Sequence, residues 1–456
     1  MDRVNNPVRA NDNLWYCLAT LYGEQPIGAT VGSGDQQLSL RNRRAWNRWV
    51  SSAFTDDQRA ELVESGTPQE ELKPFSRDEL LAFDRAFDLR TGHMLKSAPN
   101  PSEIADFSHT IFERPLILAG FVFAKGADFN SARFSESAFA DFQSASFAGH
   151  AKFSSTTFGS YAVFKSVHIL GRAEFASAIF SNYCFFEFGR FGSSVDFSSA
   201  RFVNVADFSS ATFVGISYFD SSIFFSRAFF RAAKFADNAS FKSATFSEDA
   251  DFVNAEFGVS TVFADMRLGN RVPDFGGAKL HEATEWHGVR WPAPPRDKDT
   301  AQLQVYAYER LKREMGRLEK YGDEQLFFRK ELRARRELTP FAAGIWLLNF
   351  LYDIASDYGN SMGRPLFWLI ELIAIGVVVF VASPVFGGAP LTLPNAAALS
   401  ISNVFSFFPL SRGIVSPELI ADLSEGARIV GAVQSVLGAI LLFLLGLALR
   451  NRYRLR

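Results

Sequence analysis

Side chains able to do chemistry are few and scattered in this chain of 456 residues. The six His include one cluster, His281-Glu282-Ala283-Thr284-Glu285-Trp286-His287, whose spacing departs from the His-Glu-x-x-His pattern that sets two metal ligands on one helix face. Gly28-Ala29-Thr30-Val31-Gly32-Ser33-Gly34 has the composition of a phosphate loop, but no Lys-Ser or Lys-Thr follows, so a plain loop is expected. Cys17 and Cys184 are the only cysteines, too few for a disulfide framework and in keeping with a reducing compartment. The remaining candidates lie in apolar surroundings. Glu371 is the one acidic residue inside the apolar run 365–386, where a carboxylate must find water, another subunit, the Arg450 side chain or a proton. Gln434 is the most polar side chain of a second run, 427–449, and Asn403 stands in a third, 391–410. At 1.5 Å per residue Glu371 lies about 9 Å inside its run, level with Phe443 of an antiparallel partner, so Gln434 is not expected beside it. No catalytic residue, metal ligand or cofactor is indicated, and no enzyme is expected.

What must position these residues is legible in the aromatic pattern. From Phe142 to Leu268, spacings of 5 and 6 alternate through 24 positions, of which 22 are Phe and the others Ile169 and Leu268. Phe142, Phe153, Phe175, Phe197, Phe208, Phe219, Phe241 and Phe252 belong to this register, and the residue two before each of the 24 is Ala in 15 cases. The rhythm begins at Phe107, slips by three residues across Phe139 where a bulge or loop is expected, and resumes after one extra residue from Phe275 to Trp291. A long helix is excluded, because steps of 5 and 6 put alternate Phe on stripes about 140° apart. A flat strand is excluded too, because an odd spacing sends alternate Phe to opposite faces. A coil that turns a corner every five or six residues remains, with Phe and the small residue pointing inward, stacked as a solenoid.

Units such as Ala206-Asp207-Phe208-Ser209-Ser210 and Ala239-Ser240-Phe241-Lys242-Ser243 resemble the pentapeptide-repeat family, in the variant that uses Phe where Leu is commoner. The resemblance covers about residues 104–292. It implies a mainly β fold, a right-handed quadrilateral β-helix with 22 residues per coil, here roughly eight coils and a rod on the order of 40 Å long. Gyrase-inhibiting members of that family mimic DNA with strong negative charge, whereas residues 102–292 carry 20 acidic and 16 basic side chains, so no nucleic-acid role is expected.

Residues 1–103 read as a helical N-terminal region with Trp15, Trp46 and Trp49 as anchors and Ser76 as a helix cap, without a signal peptide. Residues 293–339 read as amphipathic helices ending in a basic juxtamembrane segment that includes Arg329, Lys330, Arg333, Arg335 and Arg336. Residues 340–456 read as a membrane domain, since 365–386 and 427–449 are each long and apolar enough to span where roughly 20 residues suffice. Lys and Arg flank both runs on one side, so both termini, and the solenoid with them, are expected in the cytoplasm. The run 391–410 is expected to be re-entrant, and 341–355, with Asn349 and Asp353, to be an interfacial helix.

The order span, apolar helix-like segment, span resembles the pore module of two-transmembrane potassium-channel-like proteins over residues 364–456, with 397–405 similar to a pore helix and 431–452 to an inner helix. The Thr-Val-Gly-Tyr-Gly filter is missing; Phe407-Phe408-Pro409-Leu410-Ser411-Arg412-Gly413 stands near its place, so potassium selectivity is not implied. The stretch 357–365 also looks like the lead-in of membrane pentapeptide-repeat proteins. The expectation is therefore a multi-pass protein of the cell inner membrane, acting as a cytoplasmic scaffold or sensor for a protein partner. The alternative is an oligomeric pore, a tetramer, regulated by the β-helix.

Overall fold

The computed structural model describes residues 6–64, 66–92, 97–295, 297–341, 344–382, 391–408, 415–416 and 423–453. Two compact units divide near Pro295, one holding the N-terminal region with the repeats and the other the C-terminal helices.

The repeats form a parallel β-solenoid with four sheets of seven to nine strands, hence four faces and about seven turns. The expected eighth coil is present only as single bridges, such as Asp251 to Asp274 and Val262 to Glu285. Each strand is two or three residues long and pairs with the one a coil later, as in Ala206 with Ala228. Four inward columns of rings run along the stack. Phe142, Phe164, Phe186, Phe208, Phe230 and Phe252 stack at 4.8 to 4.9 Å. The neighbouring column of Phe153, Phe175, Phe197, Phe219 and Phe241 meets it edge to face, with Phe208 at 83° to Phe197. All are fully buried. Each such burial contributes on the order of 2 to 3 kcal/mol before entropy is subtracted, and each ring pair about 1 kcal/mol more.

The two Phe spacings are two kinds of corner. After each Phe that opens a spacing of 5, the second residue on has positive φ, at intervals of 11 from Ser144 to Asp265. The corner is a β-turn closed by a bond such as Ala211 N–H to Phe208 carbonyl, 3.1 Å, and one residue in the left-handed region shortens it. Asp141, Asp196, Asp207 and Asp251 each accept through Oδ1 from the N–H two residues on, fixing the approach to this turn. The slip at Phe139 is a turn with two extra residues, not the three expected, since Arg133 pairs with Thr157 rather than with residue 155. The extra residue after Leu268 likewise gives an offset of 23, as in Arg267 with Arg290.

The N-terminal region contains α1 (Leu14–Ala19), α2 (Gln36–Val50), α3 (Asp56–Glu64) and α4 (Arg77–Arg90). Ser76 caps α4 in a reciprocal box with Glu79. Trp15, Trp46 and Trp49 form one cluster with centroids 5.5 to 6.0 Å apart. This region closes the first coil of the solenoid. Trp46 Nε1 donates to the Val122 carbonyl at 2.8 Å, Asn47 bonds Gly120 and Val122, and the strand Val8–Arg9 adds itself beside Thr110–Phe112. An open solenoid end would otherwise present unpaired backbone groups and a bare ring face.

In the C-terminal unit, α5 (Lys298–Arg317) and α6 (Tyr321–Leu338) form a hairpin held by Lys312 on Glu331 at 2.5 Å. Then follow α7 (Gly344–Ser356), α8 (Gly363–Val381), α9 (Leu393–Val404) and α10 (Glu425–Tyr453). Two of these, α8 and α10, are long and apolar enough to cross a membrane. The end of the expected first span at 383–386, residues 409–410 of the expected re-entrant run and most of the filter-like stretch lie outside the described residues.

Candidate functional site

Three constellations are brought together, one on the solenoid and two in the C-terminal unit. The eight inward Phe singled out above are sealed from solvent and serve the stack. Outward, Tyr161 and Tyr183 occupy the same place on successive coils, just before the paired strands Ala162–Val163 and Cys184–Phe185. Their rings stack at 5.7 Å and Phe185 joins at 6.3 Å. Phe188, at the next corner of the same coil, is 57% exposed, with Lys165 Nζ 6.0 Å from its ring. Lys165 also pairs with Glu187 at 3.3 Å. The sequence signal is the recurrence of Tyr at an interval of 22 outside the inward register, weak beside the far more numerous inward Phe. His281 and His287 lie in the last coil, where His281 Nδ1 accepts from the Ala283 N–H at 3.1 Å and His287 Nδ1 is 3.6 Å from Glu285. Among the described residues no three His, Cys, Asp or Glu gather in a metal-binding group.

The second constellation is a polar cluster where α8, α9 and α10 meet. Gln434 Nε2 donates to Ser400 Oγ at 2.5 Å and to the Leu372 carbonyl at 3.1 Å, and Gln434 Oε1 accepts from Asn403 Nδ2 at 3.3 Å. Ser400 Oγ in turn donates to the Ile373 carbonyl at 2.8 Å. Close approach depends on glycine: a Cβ on Gly376 would stand 2.3 Å from Gln434 Nε2, and one on Gly438 would stand 2.7 Å from the Val404 carbonyl. Asn403 and Gln434 are thus brought together. Glu371 is half-buried, and among the described residues it has no ion-pair partner. The expected separation of Gln434 from the level of Glu371 is wrong, since Gln434 is bonded to the carbonyl of the next residue. The register of the helices is set by polar contacts such as Asn451 Nδ2 on the Gly359 carbonyl at 3.0 Å, not by the ends of the apolar runs. Sequence reasoning missed Ser400, Gly376 and Gly438, for which the only signal was small residues among large apolar ones.

The third is a lattice of ion pairs. Arg333 reaches Asp353 at 2.8 Å and Asp357 at 2.7 Å, Arg336 reaches Asp353 at 3.0 Å, and Arg329 pairs with Asp357. Arg335 is taken by Glu331 at 2.7 Å and Glu309 at 3.5 Å. Burial alone would raise the Asp353 carboxyl, but the guanidiniums of Arg333 and Arg336 override it and hold it below the usual range. The segment read from the sequence as a basic juxtamembrane cluster is therefore occupied largely by the chain's own carboxylates. Comparison with protein-family models, with curated protein sequences and with solved structures found no match.

Proposed function

We propose that this protein is a membrane-anchored scaffold of the cell inner membrane, with both termini cytoplasmic, whose β-solenoid holds a partner protein. The carrying observation is that one chain joins a rigid repeat stack bearing an outward aromatic cluster to two helices long and apolar enough to span. Exposed clustered aromatics are typical anchors of protein interfaces, and the partner suited to Tyr161, Tyr183 and Phe185 presents an apolar ridge. The test places a photo-crosslinking residue at Tyr183 of the full chain in its membrane, with Thr245 on another sheet as control. A single defined protein adduct from position 183 and none from 245 supports the scaffold; equal labelling at both, or none at 183, overturns it.

A second reading, an oligomeric pore, is favoured by the 12-residue α9 held between α8 and α10 by Ser400, Asn403 and Gln434. In that case cross-linking in membranes yields a tetramer, reconstituted vesicles pass ions, and Glu371→Gln alters conductance. Sealed vesicles and a monomer eliminate it.

A further inference from the structure

The helix α7 has two unlike sides. On one, Asp353 is bound by Arg333 and Arg336, and Asn349 Oδ1 accepts from the Tyr358 hydroxyl at 2.6 Å. On the other, Ile345, Leu347, Leu348, Leu351 and Ile354 are exposed, with Phe341 just before them at 78% exposure. This apolar stripe continues onto the outer side of α8, where Leu366, Phe367, Trp368 and Ile370 are exposed as well. The two helices are joined by Trp368 Nε1 donating to the Ile354 carbonyl at 3.4 Å and Arg364 donating to the Asp353 carbonyl at 2.7 Å. The first turns of α8 are also where α10 ends, Asn451 being bonded to Gly359. An indole at the start of one span, beside the Arg-bearing end of the other, marks the membrane-water boundary.

We propose that α7 lies in the plane of the membrane surface, its apolar stripe in the acyl-headgroup boundary, and that it binds there by apolar burial rather than by its neighbouring arginines. The proposal rests on the membrane reading of α8 and α10. An in-plane helix needs an apolar side of this width and a polar side turned away, and a 13-residue helix is too short to span. Amphipathic helices of this kind commonly use Lys and Arg to hold anionic headgroups. Here the guanidiniums of Arg329, Arg333 and Arg336 are already directed at Asp353 and Asp357, which ties α6 to α7 and leaves these three little charge to offer a lipid headgroup.

The test uses the full chain in vesicles, labelled with an environment-sensitive fluorophore at Leu348→Cys or, for comparison, at Val378→Cys on the exposed side of α8; Cys17 and Cys184 are both buried. Lipids brominated near the headgroup or deep in the chain report depth. The expected result is strongest quenching of position 348 by shallow bromine and of position 378 by deep bromine, with less than a twofold change between zwitterionic and anionic vesicles. Asp353→Asn with Asp357→Asn should then introduce a dependence on anionic lipid. A water-like signal at 348 with quenching at 378 overturns the in-plane helix and leaves the anchor standing, whereas water-like signals at both sink the anchor itself. Deep quenching at 348, an unquenched apolar signal there, or a requirement for anionic lipid in the unsubstituted protein each overturn the proposal.

Discussion

At the scale of single residues, the stack depends on side chains that differ by one position. Phe208 is sealed between Phe186 and Phe230, while Asp207 beside it faces outward and accepts from the Ser209 N–H at 2.8 Å. Phe208→Asp places an unpaired charge between coils and should cost more than about 4 kcal/mol, enough to unfold the stack. Asp207→Asn keeps an acceptor oxygen at the same place and should change stability by less than about 0.5 kcal/mol. Thermal melts of a 1–295 fragment measure both, and equal effects would show that the inward register is misassigned. The positive-φ corners teach a second point at this scale: Phe188 and Ala232 occupy a backbone region that Asn or Gly fills more easily, and neighbouring coils hold them there.

Between elements, the seam of α3 with the solenoid carries a titratable group. His168, on the strand His168–Ile169, borders a cavity of about 80 Å³ together with Phe54, Gln58, Glu61, Leu62 and Leu170. Its Nε2 is buried and among the described residues has no hydrogen-bond partner. Burial, then the charge of Arg190, push its pKa below the ordinary value, against a smaller opposing pull from Glu61. The unfolded chain therefore binds the proton more readily than the folded one, since a free His titrates near about 6.5. Stability conferred by the neutral ring is complete above that pH and declines as pH falls below it. The melting temperature of the 1–295 fragment should drop between pH 8 and pH 5, and His168→Gln should flatten that component. An identical pH profile in the variant would show that other groups control the seam.

For the whole molecule, the arrangement of units predicts solubility. Without residues 1–103 the rings of Phe112, Phe121 and Phe123 lose Tyr16 and Trp46, which cover them at 5.4 to 5.6 Å. A 104–295 fragment should aggregate, a 1–295 fragment should elute as a soluble monomer, and the full chain should stay dispersed only in detergent. Size-exclusion chromatography of the three decides it. A monodisperse 104–295 fragment would show that the helical region is no cap, and a full chain soluble without detergent would count against the anchor.

The coil, the slip at Phe139 and the two apolar helices were readable from the sequence, because each depends on local spacing, whereas the 22-residue pairing interval was implied only by the resemblance to pentapeptide repeats. A Phe at the wrong step would face solvent, so the alternation of 5 and 6 by itself dictates which way each ring points. Contacts between residues far apart in the chain carry no such period. Trp46 on Val122, Gln434 on Leu372 and Arg333 on Asp353 are hydrogen bonds made only when separate elements dock, and their partners lie 76, 62 and 20 residues away. The tertiary structure alone therefore decided that the N-terminal helices close the solenoid, that Asn403 and Gln434 share one cluster, and that the basic segment is spent on Asp353 and Asp357. Hydrogen bonds and ion pairs are short-ranged and directional, so the geometry of docking chooses among many polar candidates that a single sequence leaves equivalent.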